Sequence, residues 1–186
     1  MKDTDKTGKI QDQIERSLLN DRKIFIWGTV NEKTAKHVIE RMMYLDATGN
    51  EEIQFYISSP GGYVTAGFAI YDTMLSLNSP VSTICTGLAA SMASILLSAG
   101  AKGRRFVQPH AKVMIHQPSG GAQGQASNIE IQAAEILKIK EQSARILAEN
   151  CGQSYERVYK DFNRDYWMDA SESVEYGIVD EILQKK

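Results

Sequence analysis

Short apolar runs alternate along this chain with longer segments whose apolar residues recur at helical spacing. Lys23 to Trp27, Glu52 to Ser58 and Pro80 to Thr86 read as strands. Between them, Val30 to Asp46 carries Ala35, Val38, Ile39, Met42, Met43 and Leu45 on a helical period, opened by Asn31 three residues before Thr34. Tyr63 to Leu77 reads as a second helix. Three strands separated by two helices predict a right-handed parallel β-α-β arrangement, and so an α/β fold. Upstream, Met1 to Gly8 is expected to be mobile and Lys9 to Asn20 to form a short amphipathic helix, with Ile10, Ile14 and Leu18 on one face. Downstream, Arg105 to Val107 and Lys112 to His116 add strands, and Asn128 to Asn150 is a long helix. Ser154 to Asp161 is another helix, Ser171 to Tyr176 a short last one, and Asp180 falls in a final strand. No repeat or low-complexity linker divides the chain, which predicts one domain over 1–186.

One stretch departs from simple alternation. Gly87-Leu-Ala-Ala-Ser91-Met-Ala-Ser94 stands between a β-branched run, Val81 to Cys85, and an apolar run, Ile95 to Ala101. It reads as strand, tight turn and buried helix. Ser91 would then sit at the first helical turn, where free N–H groups and the positive end of the dipole gather. That environment suits a nucleophile that becomes an ester; it also suits a plain helix cap. Ser58-Ser59-Pro60-Gly61-Gly62 likewise links a strand to a helix, and paired glycines let a backbone turn its N–H groups outward. N–H groups of Gly62 and Met92 could hold a carbonyl oxygen as it becomes negative, an arrangement worth about 2.7 to 4 kcal/mol per donor. Read alone, Pro-Gly-Gly is an ordinary turn.

Composition narrows the setting. With 186 residues and 42% hydrophobic content the chain can bury a real core. Acidic residues number 23 and basic residues 21, without a long run of either, so neither nucleic acid nor an anionic membrane is suggested as a partner. The polar start, Met1 to Gln13, lacks the apolar core of a secretory signal, which predicts a cytoplasmic protein. Leu88 to Ala101 is too short to cross a bilayer. Cys85 and Cys151 show no metal-ligand or redox spacing and are expected to be reduced and structural.

A general base has three histidine candidates. His37 lies beside the polar face of a helix and His110 follows Pro109 in a loop, whereas His116 ends an apolar strand beside Gln117-Pro118-Ser119-Gly120-Gly121. Its imidazole would emerge at a sheet edge, either as a base or as a satisfied structural histidine. An acid is then needed to orient the imidazole and stabilise its cation. Asp161, Asp165, Asp169 and Asp180 all qualify by position, Asp169 also reads as a helix N-cap, and periodicity does not choose among them.

Five blocks in order carry a family resemblance: Ser59-Pro-Gly-Gly62 with Tyr63-Val-Thr-Ala-Gly67, Gly87-Leu-Ala-Ala-Ser91-Met, Met114-Ile-His116-Gln-Pro118, Arg164-Asp165, and Glu175-Tyr-Gly-Ile-Val-Asp180. Together, from about Asn20 onward, they resemble the ClpP family, the proteolytic subunits of the Clp protease. The resemblance implies Ser91 as nucleophile, His116 as general base, Asp165 as orienting acid, and Gly62 and Met92 as oxyanion donors. It also implies a ClpP/crotonase-like fold of β-α-β units, with a protruding handle over about 117–150 made of a glycine-rich strand, Ser119 to Gln125, and the long helix. An assembly of two stacked heptameric rings follows from it, fed with unfolded protein by a ring-shaped Clp ATPase unfoldase. On its own terms the long helix spreads Ile129, Ala133, Ile136, Leu137, Ile139, Ala144, Ile146, Leu147 and Ala148 over about half its circumference, wider than the ~100° stripe of a surface helix. No Gly-x-x-x-x-Gly-Lys-Ser/Thr motif occurs, so ATP use is expected in the partner, and neither cofactor nor metal in this chain.

Three departures from the family pattern stand out. Asn163 precedes Arg164 where an acid usually pairs with the arginine across the ring junction, which predicts weaker ring-ring contact. Tyr63 replaces the usual Ser beside the glycine pair and bears on substrate preference. Met1 to Asp12, in the 1–19 axial segment, is charged and lacks proline, which makes a mixed ring with a ClpP paralogue the alternative reading. A crotonase-like acyl-CoA enzyme would not need Ser91, His116 and Asp165 together, and a silent ring subunit would usually lack one of them.

Overall fold

The computed structural model describes residues 3–121 and 123–184. Its centre is a seven-stranded sheet in which β1 (Lys23–Trp27), β2 (Ile53–Ser59), β3 (Val81–Ala90), β4 (Arg105–Val107) and β7 (Glu181–Ile182) lie side by side, all parallel. β1 and β2 are joined through helix α2 (Glu32–Thr48), and β2 and β3 through α3 (Val64–Ser76), the crossover form that parallel neighbours require. α2 starts where the sequence predicts: Asn31 accepts from the Thr34 N–H while the Thr34 hydroxyl accepts from the Asn31 N–H, closing a capping box.

Alternation explains which faces are covered. In β2, Ile53, Phe55, Ile57 and Ser59 are buried and the residues between them are half-exposed. In the central strand β3, Val81 to Cys85 are buried without alternation, as in a strand covered on both faces. α2 packs on α3, α3 on α4 (Met92–Ser98), and α4 on α5 (Ala126–Cys151), which in turn carries α6 (Tyr155–Asp161).

The irregularity that matters most lies in β3. Ile57 of β2 pairs with Cys85, but Ser59 pairs with Ala89, so an extra pair of residues bulges out of β3 between these pairings. Before the bulge β3 pairs with β4 through Thr83 to Cys85; after it, Leu88 to Ala90 pair with β5 (Lys112–Ile115). β3 therefore runs on to Ala90, further than the expected Thr86, because β5 supplies a second partner. β5 pairs antiparallel with β6 (Tyr166–Met168), a strand that no periodicity in three residues could announce.

Several expectations need correction. Helix α1 (Asp3–Asn20) includes residues 3–8, which were expected to be mobile; extending a helix already begun costs little per residue. Met1 and Lys2 lie outside the described residues. Residues 119–121 and 123–125 form no strand: a strand needs a ladder partner, and these residues have none among the described residues. Asp180 lies just before β7 and the last helix, α7, spans Ala170–Tyr176. Among the described residues no helix is long and apolar enough to cross a membrane.

Candidate active site

Ser91 forms the whole turn between β3 and α4. Its backbone has φ 56 and ψ −126, a conformation that costs a non-glycine residue about 1–3 kcal/mol. Hydrogen bonds on both sides hold it there. The Ser91 N–H donates to Met114 O at 2.9 Å, and the Ser91 carbonyl accepts from the Ser94 N–H at 3.0 Å and from Ser94 Oγ at 2.6 Å. Because the turn is made by one residue, the side chain is thrown clear of the helix axis. The hydroxyl makes no cap bond to α4, which removes the helix-cap reading of Ser91.

Instead, Ser91 Oγ lies 2.8 Å from His116 Nε2, and His116 Nδ1 lies 3.0 Å from Asp165 Oδ1. Two strand registers bring these distant residues together. Ala90 of β3 pairs with Met114 of β5, which sets Ser91 beside the end of β5 and His116 just beyond it. Ile115 pairs with Tyr166 of β6, so Asp165, one residue before Tyr166, lies across from His116. The two contacts also fix the tautomer: Nδ1–H donates to the carboxylate, and Nε2 accepts from the serine hydroxyl.

The other candidates are occupied elsewhere. Asp161 accepts from the Tyr176 hydroxyl, Asp169 caps α7 through the Glu172 N–H, and Asp180 binds Arg105. His37 is exposed on α2 and His110 is in a turn beside Asp169; neither approaches Ser91. Cys85 and Cys151 are buried and free, and burial pushes both thiols up to about 12, so neither is a thiolate near neutral pH.

Gly61 presses on the same turn, and Gly62 packs on Thr29 and Val30. A Cβ on Gly61 would stand 2.7 Å from both Ala90 O and Ser91 Cβ and 2.9 Å from the Met92 nitrogen. Gly62 is bridged to Val30 through its neighbours: Val30 N–H donates to Gly61 O and Tyr63 N–H to Val30 O. The N–H of Gly62 itself therefore points away from Val30. Met92 is the first residue of α4, so its N–H has no acceptor within the helix. Neither N–H donates to another backbone group among the described residues. A recess of about 20 Å³ opens beside Ser91 and His116, lined by Val64, Met92, Ile95, Pro118, Ser143 and Phe162.

Two neighbours escaped sequence reasoning. Gln117 Nε2 donates to Asn163 O at 2.9 Å, and Lys140 Nζ of α5 donates to Asn163 Oδ1 at 3.1 Å. Neither carries a sequence signal, because each depends on where α5 and the residues after α6 meet. Arg164 makes no hydrogen bond or ion pair among the described residues. Among them, too, no group of three or more His, Cys, Asp or Glu side chains is placed to hold a metal ion.

A half-buried, strained serine, an imidazole and a carboxylate joined in series can carry out acyl transfer. Comparison with known proteins points the same way. The family model described as Clp protease matches residues 6–186. Two proteins named ATP-dependent Clp protease proteolytic subunit, from two strains of Bacteroides fragilis, are each 54% identical to this chain over 170 residues, covering 91% of it and 82% or 77% of their own lengths. The chain belongs to the Clp protease family.

Proposed function

We propose that Ser91, His116 and Asp165 are the catalytic triad of this Clp protease proteolytic subunit, with Gly62 and Met92 as its oxyanion donors. The observation that carries the reading is the unbroken hydrogen-bond chain from Ser91 Oγ through the imidazole to Asp165. His116 Nε2 takes the hydroxyl proton as Ser91 Oγ attacks the scissile carbonyl carbon. The oxygen that becomes negative turns toward the N–H groups of Gly62 and Met92, and the carboxylate of Asp165 steadies the imidazolium. His116 then passes the proton to the leaving amine, the C–N bond breaks, and an ester remains on Ser91. Water enters, gives a proton to His116 and attacks the ester; the carboxylic acid leaves and the proton returns to Ser91.

By relation to the family, the chain works in stacked heptameric rings in the cytoplasm, on unfolded protein delivered by a Clp ATPase unfoldase that consumes the ATP. The handle over about 117–150 and the pair Asn163 and Arg164 would meet the second ring, and residues 1–19 the axial opening. Arg164 is exposed and unpaired among the described residues, as such a contact needs.

A serine-directed phosphonate tests the chemistry. Labelling is expected on Ser91, absent in Ser91→Ala and strongly reduced in His116→Ala, with peptide hydrolysis down by about 10⁴ to 10⁶ in either variant. Labelling that persists in Ser91→Ala would overturn the assignment.

A further inference from the structure

Asp165 faces His116 from an exposed position. Its side chain is 60% accessible, so packing does not fix the carboxylate and its placement depends on the backbone that carries it. On the C-terminal side that backbone is fixed by β6, where Tyr166 pairs with Ile115. On the other side the chain leaves α6 through buried Phe162 and then runs through Asn163 and Arg164. Arg164 is unpaired among the described residues, which makes Asn163 the last anchored residue before Asp165.

Asn163 is gripped from two directions. Gln117, next to His116 in the chain, donates to its carbonyl, and Lys140 donates to its side-chain oxygen. Lys140 is itself oriented: its ammonium lies 4.7 Å above the centroid of the Tyr159 ring on α6. A single residue is thus tied to the base's own strand end, to α5 and, through Lys140, to α6.

We infer that Lys140 and Gln117 are positioning residues that act through Asn163 to hold the Asp165 carboxylate against His116 Nδ1. The inference rests on the triad assignment above. Releasing Asn163 would let the 163–165 backbone move, and a displacement of the orienting group by about 1 Å is enough to cost large factors in rate.

The experiment uses the full chain, with native mass recorded and rates of fluorogenic peptide hydrolysis compared per assembled particle over a range of substrate concentration. Lys140→Met is expected to lower kcat on the order of 10-fold with KM little changed. Lys140→Arg keeps a donor and the ring contact and is expected to restore most of the rate. Asn163→Ala is expected to match Lys140→Met, and the double variant to be no worse than either. A loss that falls on KM and not on kcat, an Arg variant as poor as the Met variant, or a Met variant as fast as the parent would overturn the inference. Asp165→Ala in the same assay separates the two levels. If it keeps the parent rate, the triad assignment itself fails; if it loses activity while Lys140→Met does not, only the positioning role fails.

Discussion

At the residue scale, the site depends on one strained backbone and one missing side chain. Ser91 adopts positive φ without being glycine, and the bonds its N–H donates to Met114 O and its carbonyl accepts from Ser94 over-determine that geometry. Gly61 makes room for it: at φ +90, the atoms a Cβ would meet are the backbone of Ala90 and Met92 and the Cβ of Ser91, none of which can swing away. Gly61→Ala is therefore expected to push the 90–92 turn aside and lower peptide kcat on the order of 10²-fold, while far-ultraviolet circular dichroism keeps its native shape. Gly8→Ala is the control, because a Cβ there meets nothing within 4 Å. A Gly61→Ala enzyme within twofold of the parent would show that this close approach is dispensable. Sequence reading reached Ser91, His116 and Gly62 through local patterns: small residues at a strand-to-helix turn, a histidine closing an apolar strand, paired glycines. It could not separate Asp165 from Asp161, Asp169 and Asp180 on pattern alone, because Asp165 is set in place by the long-range register of Ile115 with Tyr166.

At the element scale, legibility followed periodicity and length. The β-α-β-α-β core could be read because its helices carry repeated apolar positions and α2 carries a capping box. β6 could not, since it is a short edge strand with two exposed aromatic residues, Tyr166 and Trp167. The far edge of the sheet hangs on Arg105, which also gave no sequence signal. Its guanidinium binds Asp180 and donates to Asn150 O at 2.8 Å and Gly177 O at 3.0 Å, tying β4 to the ends of α5 and α7. Burial works to raise the Asp180 carboxyl, but hydrogen bonds from the Arg105 side chain and N–H, with the guanidinium charge, hold it below the ordinary carboxylate range. A folded-state value depressed in this way stabilises the protein above the unfolded pKa near 4 and is lost as pH falls through the folded value. Arg105→Met, which leaves Asp180 partly buried and unpaired, is expected to cost about 3 kcal/mol near neutral pH, roughly 6–12 °C in Tm. Thermal melts from pH 7 down to 3 check both parts, since the gap between parent and variant should narrow below about pH 4. A constant gap would mean that packing, and not the ion pair, accounts for the loss.

At the scale of the whole molecule, α5 is the element that a lone chain leaves unfinished. Only its C-terminal half is anchored, through Ser143, Ala144, Leu147, Ala148 and Cys151. The N-terminal half exposes Ile129 (40%), Ile131 (68%) and Leu137 (62%), which explains why its apolar residues spread too widely for a helix with one covered face. Apolar side chains left in water on a helix that leaves the core are expected where another subunit will cover them. The neighbouring segment around Gly120 and Gly121 has no strand partner among the described residues, so its backbone is also available for pairing. In the assembly proposed here, a second copy would satisfy both features at once. Leu137→Glu separates assembly from folding, because an exposed substitution of this kind leaves the stability of the single chain within about 0.5 kcal/mol. Sedimentation velocity should then show species smaller than those of the parent. Peptide hydrolysis should fall with the mass, because Lys140 lies one helical turn further along α5 and anchors the 163–165 segment. If Leu137→Glu leaves the sedimentation profile unchanged, the exposed half of α5 is not the surface that joins the subunits, and a different face must be sought.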